Sequence, residues 1–188
     1  RRNVPAVAAE NLQIFSGYSG YVAATDAGAI QISGFDGVSV QEISAIGYGT
    51  GSGGAVSVSA GSIYIGGSVD VSGGYNGASG SISLTSSGDI TVDGYLTGGS
   101  VEAQSTGGGT VQLGTVLTGG GNFAATGSGG YFNAYSLFSG YGGYTPVTDA
   151  GAIQISGFDG VMANRVSAIG NPYGDGNGGQ VSISAGAQ

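Results

Sequence analysis

The feature that most constrains this chain is that it contains a long stretch of itself twice. Phe15 to Val38 reads FSGYSGYVAATDAGAIQISGFDGV, and Phe138 to Val161 reads FSGYGGYTPVTDAGAIQISGFDGV. The two agree at twenty of twenty-four positions, at a spacing of 138 − 15 = 123 residues. The match resumes at the same spacing, with Ser44-Ala45-Ile46-Gly47 against Ser167-Ala168-Ile169-Gly170, and continues after a two-residue slip with GGAVSVSAG (Gly53–Gly61) against GGQVSISAG (Gly178–Gly186). Recurrence at a fixed period is the mark of a repeat architecture, in which each unit folds alike and stacks on its neighbours. The 188 residues divide into a lead-in segment, 1–14, a first long unit, 15–137, and the start of a second, 138–188. About one and a half copies of one unit are the content expected of a window on a longer array or polymer.

A shorter period lies inside the long one. Strand-like runs open at Ala29 (AIQIS), Ala55 (AVSVS), Ser81 (SISLT), Ser100 (SVEAQ), Asn122 (NFAAT), Ala152 (AIQIS) and Gln180 (QVSIS). Their spacings, from the high teens to about thirty, suit one turn of a β-solenoid holding two or three short strands. Within the runs apolar and polar residues alternate, the signature of a half-buried strand. The inward ladder is predicted at Ile30, Ile32, Val56, Val58, Ile82, Leu84, Ile153, Ile155, Val181 and Ile183. Phe15, Phe138, Phe35 and Phe158 are expected in the core as well. Gly-Gly, Asp-Gly, Asn-Gly and Ser-Gly pairs separate the runs and supply the backbone freedom of tight turns. No segment shows helical apolar spacing. The expected fold is all-β: a single elongated parallel β-helix. Seven or eight coils stacked at ~4.8 Å would give a rod about 35 Å long. No polar, charged cap is visible at Val181–Gln188, so either more sequence or another subunit is expected to continue the ladder.

Composition decides between order and disorder. Glycine supplies 43 residues and charged residues only 7%, against about 25% in ordinary globular proteins. Such a chain could be disordered, but 40% of its residues are hydrophobic and they alternate, which disorder does not require. The net charge of −8, with Arg1, Arg2 and Arg165 as the basic residues, opposes nucleic-acid binding and attraction to anionic membranes. No apolar run is long enough for a spanning helix. The stretch Arg1 to Gln13 is too short and interrupted for a signal-peptide core, so an exported chain of this kind would carry its signal upstream. Without cysteine no disulfide can staple the fold.

The catalytic inventory is thin. Histidine, cysteine and lysine are absent, which removes the usual bases and nucleophiles. Among the eleven acidic residues, Asp89 and Asp93 flank one strand, yet a glycosidase needs two carboxylates facing each other about 5–10 Å apart. No enzymatic activity and no cofactor are expected. Calcium is the metal to weigh: Asp26/Asp149 and Asp36/Asp159 are repeat-equivalent, and Asp175 sits in Gly-Asp-Gly-Asn-Gly-Gly. The preferred reading is that these aspartates are turn residues, since Asp-Gly favours turns and no calcium-binding nonapeptide recurs. Tyr18, Tyr21, Tyr141 and Tyr144 lie in Gly-Tyr contexts, where they either cover glycine-rich backbone or offer a stacking surface to glycans or neighbouring filaments.

Two stretches carry a resemblance. GGAVSVSAGSIYIGGSVDVSGG (Gly53–Gly74) and GSISLTSSGDITVDGYLTGGS (Gly80–Ser100) resemble the repeats of filamentous-haemagglutinin-type adhesins, and the likeness extends over Ala29–Gly121 and Gly151–Gly186. The resemblance implies a right-handed parallel β-helix shaft on an exported bacterial surface protein. The near-identical 123-residue copies suit a regular fibre better than a divergent adhesin shaft. The leading expectation is therefore a structural subunit of an extracellular filament, sheath or fibre that self-associates head to tail. A glycan- or host-binding adhesin shaft is the alternative, and a β-helical polysaccharide-active enzyme the third reading.

Overall fold

The computed structural model describes residues 7–8, 13–16, 24–140, 149–170 and 176–186. Among them every regular element is a strand, and no helix is long and apolar enough to cross a membrane. In chain order the strands are β1 (Val7–Ala8), β2 (Gln13–Ser16), β3 (Ile30–Phe35), β4 (Val38–Val40), β5 (Glu42–Ala45), β6 (Ala55–Ala60), β7 (Ile63–Ile65), β8 (Val69–Asp70) and β9 (Ser81–Ser86). They continue with β10 (Ile90–Gly98), β11 (Ser100–Ser105), β12 (Val111–Thr118), β13 (Phe123–Gly127), β14 (Tyr131–Ser139), β15 (Ile153–Phe158), β16 (Gly160–Ala168) and β17 (Val181–Ala185).

These strands form two sheets whose pairings between named strands are all parallel. The seven-stranded sheet runs β3-β6-β9-β11-β13-β15-β17. The ten-stranded sheet runs β1-β4-β7-β10-β12-β14-β16, with β2, β5 and β8 joining beside β10. The chain thus crosses the larger sheet, passes to the smaller one and returns, and each circuit lies directly on the previous one. In the early circuits the larger-sheet crossing is split into two short strands (β4 and β5, β7 and β8). From β10 onward it is one bent strand whose first half continues the β7 row and whose second half continues the β8 row.

Register explains the sequence repeat. Paired positions step from Val38 to Ile63, Ile90, Val111, Phe132 and Val161, and Val38 and Val161 are 123 positions apart. The long repeat is therefore five circuits. Equivalent elements recur with it: β3 and β15 carry the same hexapeptide, IQISGF. Gly34 and Gly157, inside those hexapeptides, both take positive φ (83° and 78°), and each strand shifts register there against the next. The boundary at 137/138 falls inside β14, so the sheet runs through it without interruption.

The core lies between the two sheets as one cluster. Strict alternation in the seven-stranded sheet sends Val56 and Val58, Ile82 and Leu84, Val101 and Ala103 inward while the intervening Ser and Glu side chains face out. Phe123, Phe132 and Phe158 pack as tilted rings, 6.1 and 5.5 Å between centroids. Of the predicted ladder, Ile30, Val56, Val58, Ile82, Leu84, Ile153 and Ile155 are buried and Ile32 is half-buried. Val181 and Ile183 hold ladder register against Ile153 and Ile155, but each remains 46% exposed because β17 has a neighbour on one side only. The phenylalanine expectation is corrected in part. Phe158 is fully buried and Phe35 half-buried. Phe15 is 58% exposed: in β2 its neighbour Ile14 takes the core side, and alternation turns Phe15 outward. Phe138 is half-buried, with the Arg165 guanidinium 5.0 Å from its ring centroid.

Candidate functional site

The bend in the larger sheet creates the site. Along β10 the inward residues are Ile90 and Val92, then Leu96 and Gly98, with Asp93-Gly94-Tyr95 turning the strand between them. The register slips at this point. β12 bends at Gly114, β14 at Tyr135 and β16 at Asn164, so the corners line up from circuit to circuit. On the outer side they form a trough of about 340 Å³, with Asp93, Gln112, Gly114, Asn133, Tyr135, Met162 and Asn164 in its lining. A Cβ on Gly94 would meet the Gly67 carbonyl, and one on Gly114 would meet the Gly94 and Asp93 carbonyls. Glycine is therefore what allows the β10 and β12 corners to stack, while Tyr135 and Asn164 occupy the aligned positions of β14 and β16.

The walls are mixed, with Asp93, Gln112, Asn133 and Asn164 beside the exposed side chains of Tyr135 and Met162. Gln112 and Asn133 are direct ladder partners, so their outward carboxamides lie about 4.8 Å apart in two successive circuits, with Thr91 and Met162 on either side of them in the row. Tyr135 is 66% exposed, and Tyr95 and Tyr64 lie nearby with 55% and 47% exposure. The Tyr64 hydroxyl donates to Asp93 Oδ2 at 2.9 Å. That hydrogen bond, together with the carboxylate charge and some desolvation, raises the Tyr64 pKa above the ordinary tyrosine value. The phenol is then neutral at pH below the unfolded-state value, and its bond to the ionised carboxylate is lost as pH rises through the higher folded value. Replacing Asp93 by Asn is expected to bring the Tyr64 titration down towards ordinary tyrosine, read from its ring carbon shifts by NMR. An unchanged midpoint would show that Asp93 does not control it.

Several of the carboxylates singled out in the sequence serve the backbone one by one. Asp26 Oδ1 accepts the Ser52 N–H at 2.6 Å and Asp149 Oδ1 accepts the Asn177 N–H at 2.8 Å. These are the same contact in the two copies, each reaching the following circuit. Asp159 Oδ2 accepts the Gly130 N–H at 2.9 Å, and Asp36 is exposed beside its turn. Among the described residues no three His, Cys, Asp or Glu side chains gather to hold a metal. Asp89 accepts the Thr110 N–H and Asp93 the Tyr64 hydroxyl. They flank the first half of β10, their Cα atoms about 13 Å apart along an extended strand, and each is engaged by a different partner. Tyr18, Tyr21, Tyr141, Tyr144 and Asp175 lie outside the described residues.

The sequence reading missed Gln112, Asn133, Asn164 and Tyr135. The available signal was the Asp-Gly and lone Gly inside runs that otherwise alternate (Asp93-Gly94, Gly114), which mark a bend or bulge. Compared with known proteins, the chain matches no family model, no curated protein and no solved structure.

Proposed function

We propose that this chain is a segment of parallel β-solenoid that works as a structural subunit of an extracellular bacterial filament, sheath or surface fibre. It assembles end to end by continuing its strand ladders. The observation that carries this reading is the near-identical recurrence of sequence after 123 residues, a period of five circuits of parallel ladder. The β17 edge is the kind of ladder surface that such units present to one another. Val181 and Ile183 stand in the same inward columns as Ile153 and Ile155, yet are 46% exposed. An edge with apolar residues in register and open backbone groups is a template for the next strand. The inward residues of β3, Ile30 and Ile32, are of the same kind, so a second copy laid on β17 would extend each column with aliphatic side chains. A regular fibre needs near-identical units, which is why the five-circuit period weighs most. The likeness of Gly53–Gly74 and Gly80–Ser100 to haemagglutinin-type repeats supports export to the bacterial surface.

Electron microscopy of the purified chain over a range of concentrations tests this. Unbranched fibres are expected, lengthening with concentration. The double substitution Val181→Lys, Ile183→Glu should leave the far-ultraviolet circular dichroism unchanged, because both side chains are already half in solvent, and should abolish the fibres. Monodisperse particles from the unsubstituted chain at every concentration would end the proposal.

A further inference from the structure

We propose that the trough on the outer face of the larger sheet binds an extended, neutral, β-linked polysaccharide, lying along the stacking direction with one sugar to each circuit. Four observations lead there. The trough follows the aligned corners of successive circuits, so its length runs with the stack, and it is open rather than enclosed, as a polymer site must be. Its carboxamides are unspent: those of Gln112, Asn133 and Asn164 make no side-chain hydrogen bond to another described residue, whereas Asp26, Asp89, Asp149 and Asp159 each hold a backbone N–H. Each carboxamide offers a donor and an acceptor, which matches adjacent hydroxyls on a sugar ring. Asp93 keeps Oδ1 for a further hydroxyl while Oδ2 is held by Tyr64. Tyr135, 66% exposed in the trough, provides an aromatic face for the apolar side of a pyranose.

The same chemistry sets aside other occupants. A peptide strand would need open backbone groups, and on β10, β12 and β14 the N–H and C=O groups are already paired in the ladders on both sides. An acidic polysaccharide or a nucleic acid would meet Asp93 with no cation in the lining, on a chain of net charge −8. The linkage follows from spacing. Gln112 and Asn133 lie about 4.8 Å apart, close to the advance per sugar of an extended β-linked hexose chain, whereas an α-1,4 chain curls away from a straight row.

The trough reaches the last circuit of the larger sheet through Met162 and Asn164 of β16, but none of its lining residues lies on β17 or elsewhere in the smaller sheet. Substitutions at Val181 and Ile183 therefore leave the lining intact, and a failure of this inference can be told from a failure of end-to-end assembly. The test is calorimetric titration of the full chain, carrying the Val181→Lys, Ile183→Glu substitutions if it polymerises. The probes are cellohexaose and β-1,4-mannohexaose, with maltohexaose and hexagalacturonate as the contrasting arms. Saturable binding is expected for at least one β-linked hexasaccharide and for neither contrasting probe. The Gln112→Ala, Asn133→Ala double variant should lose about tenfold in affinity, the value of one or two hydrogen bonds. Tyr135→Ala should lose a similar factor and Tyr135→Phe should retain binding. Gln154→Ala, exposed on the other sheet, should change nothing. The proposal is overturned if neither β-linked probe binds at millimolar concentration, if a contrasting probe binds equally well, or if binding survives the double variant.

Discussion

Replacing Gly121 by alanine is expected to lower the melting temperature by about 6–12 °C, while the same change two residues earlier, Gly119→Ala, leaves it unchanged or slightly higher. Gly121 sits at the corner between β12 and β13, and a Cβ there would fall within the van der Waals envelope of the Gly99 carbonyl oxygen in the preceding circuit. The corner cannot open freely, because the Gly121 carbonyl accepts the Thr118 hydroxyl at 2.8 Å and the Ser139 hydroxyl, one circuit later, at 3.0 Å. Both hydroxyl residues are almost wholly buried, at 0% and 1% exposure. Moving the backbone to admit a methyl group would lengthen those bonds and strain the stack, at about 3 kcal/mol, the upper end of overpacking costs. For a chain of this length each kcal/mol moves the midpoint by about 2–4 °C. Gly119 has open space around the position of an added Cβ, so alanine there chiefly restricts the unfolded chain. Thermal unfolding followed by circular dichroism reads both. Equal losses at the two positions would show that circuit-to-circuit crowding is not what requires glycine at 121.

That contrast also shows what the sequence makes legible. The run openings at Ala29, Ala55, Ser81, Ser100, Asn122, Ala152 and Gln180 all fall within one residue of the start of a strand in the smaller sheet. There the alternation is strict and the inward residues are large. The larger sheet is harder to read because its second row turns inward through small or polar residues: Gly98, Thr118 and Ser139 occupy core positions that hydropathy does not mark. The Thr118 and Ser139 hydroxyls are satisfied by the Gly121 carbonyl at a corner, a compensation visible only in three dimensions. Phe15 misleads for the opposite reason. A large apolar residue in a strand reads as core, but Ile14 beside it decides the phase. The trough was out of reach from sequence, because Gln112, Asn133 and Asn164 are single polar residues on three different strands and only the register of β12, β14 and β16 brings them together.

The largest single-residue effect is expected at Phe158, and its twin in the repeat should not share it. β3 and β15 have the same six residues, so any difference between Phe35→Ala and Phe158→Ala arises from the circuits around them. Phe158 is fully buried. Its ring lies against Gly127 of the preceding circuit, where a Cβ would strike it, and 5.5 Å from the Phe132 ring. Removing it leaves a cavity that the glycine cannot fill, and about 3–5 kcal/mol is expected, with a fall in the melting midpoint of about 6–20 °C. Phe35 is half-buried. It meets Ala60 on the following strand, and β3 is the first strand of its sheet among the described residues. Its truncation should cost less than half as much. Urea unfolding of the two variants measures the difference, and equal costs would refute the claim that the neighbouring circuit, not the hexapeptide, sets the energetics. The comparison bears on assembly too. If fibres form by one copy stacking on the β3 edge of the next, Phe35 gains a neighbour there, so Phe35→Ala should destabilise the fibre more than the isolated chain while Phe158→Ala destabilises both alike. A penalty at Phe35 that does not change between soluble chain and fibre would place the junction somewhere other than β3.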